Sequence, residues 1–124
     1  MGETAGSRFV AAIAARDVDG LRAVLAPDVD FKGLTPSRAW EASDPDAVVD
    51  AVFGHWFGDS DHIDAVDQLD EGEPVADTQR IGYRFAVTNG GGPHWVEQQM
   101  YYREQDGKVV YARVVCSGYR RRPA

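Results

Sequence analysis

The chain has 124 residues, 44% of them hydrophobic, which suits one domain around one core and leaves too little apolar material for a second. Its formal charge of −7 excludes a nucleic-acid face built on clustered Lys and Arg. The single cysteine, Cys116, excludes an intramolecular disulfide and a Cys-rich zinc site.

Thr4 to Arg16 place Phe9, Val10 and Ile13 at helical spacing, and a short run from Val18 places Leu21, Val24 and Leu25 on one stripe. Two helices are predicted, with Asp17 capping the second and Pro27 beyond its end. Val29 to Lys32 alternates as a short strand, and Gly33 to Ser43, which contains Pro36 and Trp40, reads as a loop. Asp44 as cap and Pro45 at the first helical position start a third helix. It carries Val48, Val52 and Trp56 on one stripe and Val49, Phe53 and Phe57 on the next, and is expected to end at Gly58.

Beyond it the period changes to two. Ile63 to Leu69 is a weak strand; Ile81, Tyr83, Phe85 and Val87 alternate cleanly with their neighbours. Asn89 to Pro93 reads as a flexible connection to a strand from Trp95 to Glu104. Asp106-Gly107 predicts a tight type I′ hairpin, because both residues accept positive φ, and the last strand follows from Lys108 to about Gly118. Arg120-Arg121-Arg122 reads as a solvated tail. The start of the chain contains Glu3 and lacks the basic opening and apolar core of a signal peptide, and no stretch approaches the roughly 20 apolar residues of a membrane span. The expected location is the cytoplasm, with neither membrane nor nucleic acid as a partner.

Arg8-Phe9-Val10-Ala11-Ala12-Ile13, then Asp17-Val18-Asp19-Gly20-Leu21 and Ala26-Pro27-Asp28-Val29, resemble the opening of ketosteroid isomerases and SnoaL-like polyketide cyclases. Tyr102-Arg103, Asp106 to Val110 and Cys116-Ser117-Gly118-Tyr119 resemble the closing hairpin of many SnoaL-like proteins. The order of elements is that of the nuclear transport factor 2-like superfamily. The resemblance covers nearly all of 1–124 and implies an α+β fold, a cone-shaped curved antiparallel sheet packed on three N-terminal helices. It implies no reaction by itself. In ketosteroid isomerases a Tyr and a protonated Asp face an Asp base, and by position these places fall here on Phe9, Met100 and Gly33, none of which can do that work. Limonene epoxide hydrolases, on a similar fold, need two carboxylates and an arginine inside the cone. No Asp or Glu falls on the inward positions of the strong strands here, and Asp28 and Asp30 suit turns and caps.

If Met100 points inward, strand alternation turns His94, Val96, Gln98 and Tyr102 the same way, with Tyr83 and Phe85 beside them and Val110, Ala112, Val114 and Cys116 on the last strand. Arg80, Arg84, Glu97, Gln99, Tyr101, Arg103, Tyr111 and Arg113 then form the opposite face, suited to solvent or a partner sheet. The expected ligand is a small, largely apolar molecule held by Phe9, Trp40, Trp56, Phe85, Gln98, Met100, Tyr102, Val114 and Cys116. His55, His94 and Tyr83 are the acid/base candidates for a cofactor-independent isomerase, cyclase or hydratase. Each has a plain alternative: His55 and His94 as exposed or capping residues, Trp40 and Trp56 as core, Gln98 as an amide satisfied by Tyr83 or Tyr102, Cys116 as a buried hydrophobe. Three histidines without a second-ligand pattern point to no metal, and no cofactor is expected. The competing reading is a non-catalytic module, a homodimer joined through the sheet face.

Overall fold

The structure, a computed structural model, describes residues 3–123. Helix α1, Ala5–Ala14, opens on a capping box: the Thr4 hydroxyl accepts from the Ser7 N–H and the Ser7 hydroxyl from the Thr4 N–H, each at 3.0 Å. It buries Phe9, Val10 and Ile13. Tyr102 packs so tightly against Gly6 that a Cβ there would lie 2.6 Å from the phenol oxygen, so the glycine sets how closely α1 approaches the sheet. Helix α2, Val18–Val24, is capped by Asp17, whose carboxylate accepts from the Gly20 N–H at 2.9 Å.

Strand β1, Leu25–Thr35, follows without a break and is far longer than the four residues expected, since both of its edges find partners. The expected loop 33–43 is instead a hairpin. β1 turns at Pro36 and Ser37 into β2, Arg38–Ala42, with Gly33 opposite Trp40. The turn is held by side chains: the Trp40 indole donates to Thr35 Oγ1 at 3.0 Å, and that hydroxyl donates to the Arg38 carbonyl at 3.1 Å.

Asp44 caps α3, Pro45–Ala51, accepting from the Ala47 N–H at 2.8 Å. The helix does not run on to Gly58 as predicted. It widens into a π-helical turn, Val52–Trp56, closed by the Phe57 N–H on the Val52 carbonyl at 2.7 Å. The extra residue per turn brings Trp56 and Phe57 inside together and leaves His55 outside.

Strands β3 (His62–Glu71), β4 (Gln79–Asn89), β5 (Gly92–Gln105), β6 (Lys108–Cys116) and β7 (Arg120–Arg121) complete a curved sheet in the order β2-β1-β6-β5-β4-β3. All these neighbours run antiparallel except β1 and β6, which are parallel, so the sheet is mixed. The long crossover between them permits this. Asp106 and Gly107 have φ of 55° and 78°, as the hairpin requires. The connection expected to be flexible at 89–93 is a tight turn, with Asn89 paired to Gly92 and the Asn89 carbonyl oxygen of the amide accepting from the Gly91 N–H at 2.8 Å.

The inner face follows the predicted alternation: Tyr83, Phe85, Val96, Gln98, Met100, Tyr102, Ala112 and Val114 are all buried. His94 and Cys116, at the open end, are only partly buried, and Val110 has lost the inward place. A bulge beside Glu104 shifts the register so that Val109, fully buried, takes the inward place. The Arg120 and Arg121 side chains are exposed, as expected of a solvated tail, but the backbone that carries them is tied down. β7 pairs with β5 at Trp95 and His94, and Arg122 reaches the His94 carbonyl at 3.3 Å and Asp64 at 3.2 Å. Among the described residues no helix is long and apolar enough to cross a membrane.

Candidate functional site

Most of the cone is filled by its own side chains. Phe9, Phe85, Met100, Tyr102 and Val114 pack against the helices and each other, at no more than 2% exposure, and do not line the cavity at the mouth. Burying each large side chain stabilises the fold by roughly 1.5–3 kcal/mol. Space remains at the open end. There the β1–β2 turn, the π-helical turn and the ends of β5 and β6 enclose a cavity of about 250 Å³, just under the ~300 Å³ at which small-molecule pockets usually begin.

Trp40, Trp56, Phe57, Val96, Cys116 and Tyr119 supply its apolar wall. Trp56 can lie where it does because Gly33 has no side chain; a Cβ there would come within 2.7 Å of the indole ring. Trp40 stands edge-on to Trp56 with ring centres 6.3 Å apart, and His55 leans on Trp40 at 5.0 Å. His55 lines the cavity from an exposed position, its Nε2 3.6 Å from Asp50 Oδ2. Tyr119 closes the far side. Gly118 precedes it at φ +75° and packs on Pro36 so closely that only glycine fits, and the Tyr119 phenol donates to the Trp56 carbonyl at 2.7 Å. Burial, with the nearby Asp61 carboxylate, pushes that phenol up from its ordinary value, so it stays protonated.

The three acid/base candidates are not brought together. Tyr83 sits in the core, donating to Gln98 Oε1 at 2.7 Å, and burial holds its phenol far above the ordinary value of 10.0, with Cys116 adding to the shift. It can donate a hydrogen bond but not act as a base. His94 lies outside the cavity, edge-on to Tyr119 at 5.8 Å with Nδ1 3.0 Å from the Gly92 carbonyl. Only His55 borders the cavity, and of the expected binding residues only Trp40, Trp56 and Cys116 do. Gln98 is one layer deeper, and its Nε2 has no hydrogen-bond partner among the described residues. Asp30 points away altogether and pairs with Arg113 at 3.2 Å. Among the described residues no Asp or Glu lines the cavity, and the place of the isomerase base at Gly33 is occupied by the Trp56 ring. Thr35, Pro36 and Tyr119 were not expected at the site; the glycine before a terminal aromatic was the one available signal for the last.

The opposite face of the sheet is a grid of ion pairs over rings. Arg80 pairs with Asp70, Arg84 with Asp67, Arg103 with Asp77 and Arg113 with Asp30. Arg84 also lies 4.2 Å over Trp95, and Arg103 and Arg113 lie 4.4 and 4.1 Å from the Tyr111 ring centre. Beside them Leu34, Val115 and Tyr101 are 55, 52 and 43% exposed, the first two lining a shallow apolar hollow of about 290 Å³ against β2.

Three helices on a curved, unclosed mixed sheet with a cavity at its open end define the nuclear transport factor 2-like, cystatin-like class. Within it the SnoaL-like domain matches residues 7–112, and the chain belongs to that family. No curated protein matches the sequence. Among solved structures, the chain is similar to a candidate isomerase from Bacillus subtilis (TM-score 0.74, 15% identity, 91% of this chain and 84% of that one). It is also similar to a candidate isomerase from Rhodopseudomonas palustris (0.71, 18%, 95% and 93%) and to an LEH-like epoxide hydrolase from M. tuberculosis (0.66, 12%, 91% and 80%). At these identities the likeness is one of fold.

Proposed function

We propose that this SnoaL-like protein binds a small, largely apolar molecule in the cavity at the mouth of the cone. The observation that carries the reading is a wall of four aromatic side chains, Trp40, Trp56, Phe57 and Tyr119, around about 250 Å³ with no fixed charge among the lining residues. Such a wall suits a flat ring smaller than a steroid. His55 is the one imidazole among the lining residues, and this reading gives it the proton-exchanging role in a reaction of the cofactor-independent isomerase, cyclase or lyase kind. The test is a titration of the purified chain with tetralin, a neutral bicyclic hydrocarbon, followed by ligand-observed NMR. Saturable binding that Gly33→Ala weakens supports the reading; no saturable binding removes it. Native mass spectrometry of the same sample would give the mass of any retained molecule.

A second reading concerns the other face. The exposed Leu34, Val115 and Tyr101 beside a charge-balanced grid favour a homodimer through the sheet. Sedimentation analysis is expected to show a dimer that Val115→Arg converts to a monomer with unchanged circular dichroism. A monomeric native chain overturns this second reading and leaves the first untouched.

A further inference from the structure

Trp40 forms part of the cavity wall and also carries a positive charge on its ring. Arg38, Trp40 and Ala42 alternate along β2, and the last two pack against the core, so the Arg38 side chain leaves the strand on the cone side. It stands at the outermost pair of the hairpin, opposite Thr35 and next to Ser37, both of which line the cavity. The residue is exposed, and its guanidinium carbon lies 3.7 Å from the centre of the Trp40 ring. Its backbone carbonyl accepts from Thr35 Oγ1 at 3.1 Å, but the guanidinium has neither an ion-pair partner nor a hydrogen bond among the described residues.

The acids beside the mouth are engaged elsewhere. Asp50 faces His55 at 3.6 Å, and Asp61 accepts from the Gly58 N–H at 3.0 Å and from the Asn89 amide at 2.9 Å. On the outer sheet face Arg80, Arg84, Arg103 and Arg113 each have an aspartate. In a chain with a net charge of −7, an arginine without an acid is not short of acids to choose from. Stacking uses the flat face of a guanidinium and leaves its in-plane N–H donors free, in the fork that matches a carboxylate or another oxyanion. The ring beneath also fixes the direction of that fork, which lowers the entropy lost when an anion binds. A flat ring lying against the aromatic wall would leave a charged substituent at the rim. There the substituent keeps part of its hydration and escapes the penalty of burial.

We infer that the molecule this cavity takes carries a carboxylate or similar oxyanion on its ring, and that Arg38 selects for that group at the rim. Arg38 determines specificity and takes no part in proton transfer. The inference rests on the cavity being a ligand site, as proposed above.

The experiment compares tetralin with 2-tetralincarboxylate in NMR titrations at low salt against the full chain, Arg38→Gln and Arg120→Gln. Arg120 is an exposed arginine opposite Trp95, so its replacement makes the same change in net charge away from the cavity. The carboxylate is expected to bind the native chain about fivefold more tightly than the hydrocarbon, the contribution of one well-formed exposed ion pair. That ratio is expected to fall to about one in Arg38→Gln and to stay in Arg120→Gln, with circular dichroism unchanged in both. Equal affinities in the native chain, or a hydrocarbon that binds more tightly, overturn the anion inference and leave the cavity a ligand site. A ratio unchanged in Arg38→Gln overturns the role of that residue. A carboxylate that binds Gly33→Ala as tightly as the native chain lies outside the cavity and overturns the inference as well. If neither compound binds, the ligand-site reading fails and this inference fails with it.

Discussion

Among the described residues, Tyr83 and Gln98 are the only hydrogen-bonded side-chain pair deep in the apolar interior, and they are incompletely matched. The phenol has one donor and gives it to Oε1, while the amide keeps an unpaired Nε2. Removing one partner is therefore worse than removing both. Tyr83→Phe is expected to cost about 1–2 kcal/mol, because the whole amide is then orphaned, whereas Tyr83→Phe with Gln98→Leu should return to within about 1 kcal/mol of the native chain. Urea unfolding of the two singles and the double checks this, and additive losses would count against it. The same phenol sets an alkaline limit. Its folded pKa is raised above the ordinary 10.0, mainly by burial, so the unfolded chain releases the proton first. The stability tied to it is intact below pH 10 and declines above it, by about 1.4 kcal/mol per pH unit for this one group. Tyr83→Phe should flatten that decline in thermal melts taken from pH 9 to 11.

At the scale of elements, the cavity depends on a strand and a helix end meeting where one residue has no side chain. Gly33 lets the Trp56 indole lie across β1, and the π-helical turn delivers Trp56 and Phe57 to the same side. Gly33→Ala is expected to push the indole out of place, weaken tetralin binding at least tenfold, and cost about 1–3 kcal/mol through overpacking. A red-shifted tryptophan emission would accompany it; an unchanged spectrum and affinity would show that the indole tolerates the methyl group. How much of this was legible in the sequence differs element by element. Helix starts at Thr4, Asp17 and Asp44 and the Asp106-Gly107 turn declare themselves, because caps and positive-φ turns depend on one or two residues. The 33–43 hairpin did not, since a proline in a short polar stretch looks like a loop and the Trp40–Thr35 bond that closes it spans the turn. The π-helical turn leaves no sequence period of its own. For the site, Trp40, Trp56, Cys116 and His55 could be read from the fold order, while the split between core residues and cavity residues depends on where the packing runs out. Alternation alone cannot give that.

For the whole molecule the net charge of −7 is not spread evenly. On the outer sheet face each arginine finds an aspartate, so that face is close to neutral and the excess acid lies elsewhere. Two copies meeting through it would bring together neither like charge nor strong opposite charge. The proposed dimer should therefore change its dissociation constant by less than about threefold between 50 and 500 mM salt, since screening acts on unbalanced charge. Sedimentation equilibrium at the two salt concentrations measures this; a dimer that dissociates steeply with salt would point to a different surface.

The parallel pairing of β1 with β6 has a consequence for how occupancy would be felt. It joins residues 25–34 to 109–115, some of the most distant contacts in the chain, and both the β1–β2 turn and Cys116 sit at its open end. Contacts so far apart in sequence form late, after loop closure has been overcome. A partly folded chain that lacks them has no wall to bind against. A ligand would then recognise only the complete native state, and the slowest-exchanging amides of the central strands, which open only on global unfolding, would gain protection by RT ln(1 + [L]/Kd) as strongly as those beside the cavity.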